Sequence, residues 1–199
     1  MTKLDLYREY KTEYVAPGQT EVINVGPAQY LAIEGKGAPG SEAFQNAIGA
    51  LYNVAYTLKM KLKAKHDYTV CKLEGQWWSD QKNFADAPQE TWQWRLLIRT
   101  PDFVTNKELA KVIETLIAKG KPPEVAHVKL MKINEGCCLQ ALHTGSYSSE
   151  PVTIAAMLKR AAEEGYSLAG LHHEIYLSDP RRVPPEKLRT ILRLPVTRN

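Results

Sequence analysis

The chain repeats itself, and that repeat limits its architecture more than any other feature of its 199 residues. Tyr68 through Ser79-Asp80 resembles Tyr166 through Ser178-Asp179, with one extra residue in the second copy. Leu97-Ile98-Arg99-Thr100-Pro101 returns as Ile191-Leu192-Arg193-Leu194-Pro195. Glu34-Gly35 leading to Ser41-Glu42 returns as Thr144-Gly145 leading to Ser149-Glu150. Landmarks that recur in the same order indicate a duplicated structural unit.

Between these landmarks each copy carries apolar residues at helical spacing. Phe44, Ile48, Leu51, Ala55, Leu58 and Leu62 form one stripe with Ser41 as its N-cap, and Ile154, Ala155, Leu158, Ala161 and Ala162 form the other with Gly165 as its stop. The flanking segments read as strands over 29–34, 70–78 and 91–100, then over 137–144, 171–177 and 188–194. Each copy is therefore β-α-β-β. Thr105-Asn106-Lys107-Glu108 is a capping box that opens a connecting helix with Leu109, Val112, Ile113, Leu116 and Ile117 along one side.

The predicted organisation is one α+β domain over residues 1–199, with repeat one at about 20–104, a linker helix at 105–120 and repeat two at about 125–197. Two such units, related by pseudo-twofold symmetry and carrying helices on one face of antiparallel sheets, leave the opposite faces to form a ligand groove.

Composition narrows the function. The net charge of +4 is spread among interleaved acidic and basic residues. Lys59, Lys61, Lys63 and Lys65 alternate with Met60, Leu62 and Ala64 as at the solvated end of a helix, not as a broad nucleic-acid face. Charged residues break the run Met1–Tyr7, which reads as neither a signal peptide nor a membrane span, so the expected location is the cytoplasm. Cys71 and the adjacent pair Cys137-Cys138 read as reduced thiols, because neighbouring strand residues point apart.

Alternation along 171–177 places Leu171, His173, Ile175 and Leu177 on one face and His172, Glu174 and Tyr176 on the other. The apolar set is expected to meet the helices, which leaves Glu174 on the groove side. A carboxylate there is partly desolvated and can act as a base or attract a cation; the alternative is a glutamate on a solvated sheet face. The counterpart strand offers Glu74, Trp77 and Trp78, and the next one Trp92 and Trp94, as an aromatic lining suited to a flat or cationic ligand. Either Trp77 or Trp78 lines the groove, since Gly75 can shift the parity. His172-His173 completes no metal shell, so no metal or other cofactor is expected. Gly145-Ser146-Tyr147-Ser148-Ser149 is a turn without the strand-turn-helix elbow of a serine nucleophile, and its Tyr147 is taken as a further ligand contact.

The tail from Leu171 to Pro180, followed by Pro184-Pro185-Glu186-Lys187-Leu188-Arg189, resembles the gyrase-inhibitor-like (GyrI-like) small-molecule-binding family. Glu74-Gly75-Gln76-Trp77-Trp78 and Trp94 through Thr105 support the likeness. The resemblance implies two SHS2-like units, a cleft for aromatic or cationic compounds, and a central acidic residue matching Glu174. It also implies two functional alternatives. One is a stand-alone hydrolase that opens the cyclopropane of planar DNA-alkylating antibiotics, with Glu174 and Tyr176 catalytic, Trp77, Trp78 and Trp94 around the substrate, and Trp92, His172, Tyr147 and Glu74 as further contacts. The other is a non-catalytic binder or sensor of lipophilic aromatic cations, a multidrug-binding role.

Overall fold

The computed structural model describes residues 3–81 and 87–199; Met1 and Thr2, at the head of the polar N-terminal run, lie outside the described residues. The protein is α+β, with antiparallel strand pairing. It divides into two compact units, the first holding the chain up to Glu9 together with Ala28–Ile133, the second holding Tyr10–Pro27 together with Asn134–Asn199.

In unit 1 the strands β2 (Ala28–Lys36), β3 (Glu74–Trp78), β4 (Gln93–Arg99) and β5 (Lys129–Ile133) lie in the order β3-β4-β2-β5. One face is covered by α1 (Glu42–Leu62), whose N-cap Ser41 accepts a hydrogen bond from the Phe44 N–H. Phe44 stacks on Trp77 with ring centroids 5.5 Å apart and meets Trp94 edge-on at 5.4 Å. The opposite face buries Ala28, Tyr30, Ala32 and Leu97 with Met131 and Ile133. The helix α2 (Asn106–Ala118) begins with the full Thr105–Glu108 capping box expected from the sequence.

Trp94 lies across its strand partner Gly35, and a Cβ at Gly35 would sit 2.2 Å from the indole. Gly35→Ala is therefore expected to displace the ring and destabilise the protein by about 1–3 kcal/mol. Urea denaturation reads the loss, and an unchanged midpoint would contradict this packing.

In unit 2, β1 (Glu21–Val25), β6 (Gly136–Thr144), β8 (His172–Tyr176) and β9 (Arg189–Arg198) lie in the order β1-β6-β9-β8, and the short β7 (Tyr166–Leu168) pairs with the far end of β9. The helix α3 (Glu150–Glu163) places Met157 and Ala161 on Leu139, Ala141, Leu192, Leu194 and Val196. Each copy thus keeps the predicted β-α-β-β order. The edge strands are exchanged along the chain: β1 precedes β2 yet pairs with β6, while β5 precedes β6 yet pairs with β2.

Two strands differ from their sequence-based bounds. The predicted strand over 70–78 begins only at Glu74, because the backbone around Tyr68 pairs instead with Leu4 (Leu4 N–H to Asp67 O, 3.0 Å; Thr69 N–H to Leu4 O, 2.8 Å). The last strand runs on to Arg198, since β7 offers it a further partner.

Candidate functional site

The site is built in unit 2 where β8 passes the N-terminus of α3. In an antiparallel pair, residues in register share a face. Glu174 is in register with Leu192, and Leu192 packs against α3, so Glu174 shares the helix-bearing face with His172 and Tyr176. This corrects the expectation that His173 and Ile175 meet the helix while Glu174 points away from it. The physical reason is that the other face is occupied: His173 and Ile175 are fully buried there, and His173 joins a buried ionic network with Glu135 and Arg193.

Glu174, 9% exposed, is held from several directions. The Tyr176 hydroxyl donates to its Oε2 at 2.7 Å, and His172 Nε2 lies 3.0 Å from its Oε1, donating in the Nε2–H tautomer. Glu150, the first residue of α3 and 5% exposed, brings a carboxyl oxygen within 4.8 Å of Glu174, and its Oε1 is buried without a hydrogen-bond partner. Burial first, then the neighbouring Glu174 carboxylate, raise the Glu150 carboxyl well above its ordinary 4.5. Two buried carboxyl groups therefore lie side by side, where burial and mutual repulsion favour one proton on the pair over two charges. That combination can remove a proton from a bound water and supply one elsewhere.

Tyr147 closes one side. Its ring, 40% exposed, meets Tyr176 edge-on at 6.0 Å, and partial desolvation, then the nearby Glu174 and Glu150 carboxyls, raise its phenol above the ordinary 10. The turn that carries Tyr147 is braced by Ser149, whose hydroxyl donates to Ser146 O at 2.6 Å and lies 3.1 Å from His143 Nε2.

The duplication supplies an internal comparison. In unit 1 the cross-strand row beside the helix is Ile33–Leu96–Gly75, and in unit 2 the same row is His143–Thr190–Tyr176. The adjoining rows are Leu31–Ile98 in unit 1 and Ala141–Leu192–Glu174 in unit 2. Glu42, which opens the unit 1 helix, is exposed, whereas Glu150 is buried. A scaffold that is apolar in one copy carries polar, titratable groups in the other, at a cost in burial that packing alone does not require.

Of the residues singled out in the sequence, Glu174, Tyr176, His172 and Tyr147 come together here. The remainder belong to unit 1. Trp77 and Trp94, 3% and 2% exposed, are core side chains under its helix. Trp92 is half-buried, edge-on to Trp77 at 5.8 Å, and its Nε1–H donates to Ala87 O. Trp78 is half-buried with the Arg95 guanidinium 5.5 Å above its ring, and Glu74 is fully buried. Sequence reasoning missed Glu150. Its one signal was the repeated Ser-Glu ahead of each helix, which does not separate a buried glutamate from an exposed one.

Ligand atoms of Glu150, His172 and Glu174 all lie within 4.8 Å of one another, so these side chains can approach a single cation. The sequence reading found no such set because Glu150 reaches β8 from a distant helix.

Glu150→Gln is expected to change the pH dependence of stability. A folded-state carboxyl titrating above 4.5 contributes stability that is full below that value and lost as pH rises towards the folded value. The variant escapes this loss, so its stability relative to the wild type should grow from pH 4 to pH 8. Urea denaturation at both pH values checks this; a wild type more stable than the variant at pH 8 would contradict it.

The family pattern described as "GyrI-like small molecule binding domain" matches residues 18–197. Among solved structures, a protein described as a hydrolase from Listeria innocua is 38% identical, with 98% of this chain and 100% of that chain covered and a TM-score of 0.88. An uncharacterized conserved protein from Listeria innocua is 39% identical over 98% of this chain and 100% of that chain, with a TM-score of 0.91. The C-terminal domain of EcmrR, 12% identical with 91% and 98% covered and a TM-score of 0.59, shares the fold. No curated protein matches the sequence. Among the described residues, no helix is long and apolar enough to cross a membrane.

Proposed function

Because the chain belongs to the GyrI-like small-molecule-binding family, we propose that it is a hydrolase that opens the strained cyclopropane of planar, DNA-alkylating antibiotics and so detoxifies them. The observation that carries this reading is the buried Glu150–Glu174 pair, in which Tyr176 and His172 hold the Glu174 carboxyl in place. The 38% identical protein described as a hydrolase supports it.

In this reaction Glu174 takes a proton from water as the water oxygen bonds to the cyclopropane methylene. The ring C–C bond breaks, and its electron pair passes through the conjugated system to the carbonyl oxygen, which becomes a phenolate. Glu150 supplies the proton that neutralises this oxygen, and the proton on Glu174 returns through solvent to restore the pair, so the net change is addition of one water. Positioning the water and stabilising the developing charge account for the rate, because ring strain supplies the driving force. Tyr147 and Tyr176 offer aromatic edges to the flat substrate.

The test is to incubate the purified protein with a cyclopropane-bearing alkylating antibiotic and analyse the mixture by mass spectrometry. The ring-opened, water-added product is expected, and quantitative recovery of the intact compound would overturn the proposal. The buried carboxyl of Glu174 with its tyrosine neighbours favours a second reading, a sink or sensor for lipophilic cations. That reading predicts tight binding of several cations without product.

A further inference from the structure

The side chains of β8 on the α3 face are His172, Glu174 and Tyr176, all polar. The apolar pattern that ordinarily fixes a strand's register is therefore missing from that face, although a one-residue slip would turn Glu174 away from the site. The other face carries Ile175 and a buried polar network built on the Arg193–Glu135 ion pair. His173 Nδ1 is 2.9 Å from Glu135 Oε1, and an Arg193 guanidinium nitrogen is 2.9 Å from Glu135 Oε2. Arg193 also donates to Gln140 Oε1 at 2.9 and 3.1 Å and to the Glu13 carbonyl, while Gln140 donates to the Thr12 carbonyl at 3.2 Å.

This network ties together β8, β9, β6, the turn before β6 and the segment around Thr12 and Glu13. Buried ion pairs of this kind add little net stability compared with well-packed apolar side chains; their best-supported use is to select one register. His173 is the residue next to Glu174 and is in register with Arg193.

We infer that His173 is a positioning residue for Glu174, pinned by Glu135 and Arg193 so that β8 keeps the register that presents Glu174 and its partner Tyr176 to Glu150. The inference rests on Glu174 being the working carboxylate, but the pinning can be read without turnover.

The test compares His173→Leu with His173→Gln, whose amide can still donate to Glu135. Amide hydrogen exchange along β8 and the 13Cζ resonance of Tyr176 report the strand and its hydrogen bond to Glu174, and urea denaturation reports global stability. His173→Leu should accelerate exchange at Glu174 and Tyr176 by at least about tenfold beyond any global loss and shift the Tyr176 resonance, while His173→Gln stays within about threefold of wild type. Unchanged exchange and resonance in His173→Leu, or acceleration spread evenly over β6 and β9 that His173→Gln shares, would overturn the inference. Should His173→Leu fail to fold, Glu135→Gln is measured against the same criteria. Absence of hydrolysis in the wild type would sink the hydrolase reading and leave these readouts intact.

Discussion

Glu174→Gln is expected to lower hydrolytic turnover by about 10²–10⁴-fold, the range that removal of a positioned general base produces. The substitution preserves the shape of the side chain and leaves a carbonyl oxygen to accept from Tyr176, so a fall in rate reports lost basicity more than lost structure. Affinity for a neutral planar compound should stay within a few-fold, because that binding draws on ring contacts, whereas affinity for a lipophilic cation should fall. Turnover within about threefold of wild type would remove Glu174 from the mechanism. Loss of cation affinity in a protein that never yields product would move the conclusion to the sensor reading.

Trp94→Ala is expected to have the largest effect on stability, a loss of about 3–5 kcal/mol. The indole is 2% exposed, meets Phe44 edge-on and lies directly on Gly35. No side chain at position 35 can move into the space it would leave. Trp77, stacked on Phe44, would lose part of its support as well. Urea denaturation should show a lower midpoint with little change in slope. A loss under about 1 kcal/mol, accompanied by weaker binding of a planar ligand, would instead identify Trp94 as a ligand contact.

These two residues show what the sequence made legible. The repeat was readable because its landmarks are local: a glycine and then Ser-Glu ahead of each helix, and a Ser-Asp just after β3 and β8. The exchange of edge strands was harder, since it depends on which partner a strand chooses and not on its own pattern. A signal existed, in that Ile23-Asn24-Val25-Gly26 returns as Ile133-Asn134-Glu135-Gly136 before β2 and β6.

Alternation correctly grouped His172, Glu174 and Tyr176, but it could not say which face the helix would take. The rule that the more apolar face meets the helix fails on β8, where the helix-side residues are polar and the far side holds the fully buried His173 beside Glu135 and Arg193. For the tryptophans, composition announced an aromatic surface, while Phe44 and Gly35 turned Trp77 and Trp94 into core. Glu150 was hidden because its partnership with Glu174 joins residues that are far apart in sequence.

The pH limb of stability offers a smaller check on the buried network. His173 and Arg193 overcome the cost of burial and hold Glu135 down at about 2, so its contribution is present above the ordinary carboxylate value of 4.5 and is lost as pH falls from there towards 2. Glu135→Gln should flatten that acid limb, as followed by urea denaturation across the range, and an unaltered limb would place the acid sensitivity elsewhere.

Chemistry at the Glu150–Glu174 pair, as proposed, is tested by a crystal structure of the Glu174→Gln variant holding an intact cyclopropane-bearing compound. The strained ring is expected beside position 174, with a water between the two and the conjugated carbonyl on the Glu150 side. A compound bound with its ring remote from both positions would contradict it.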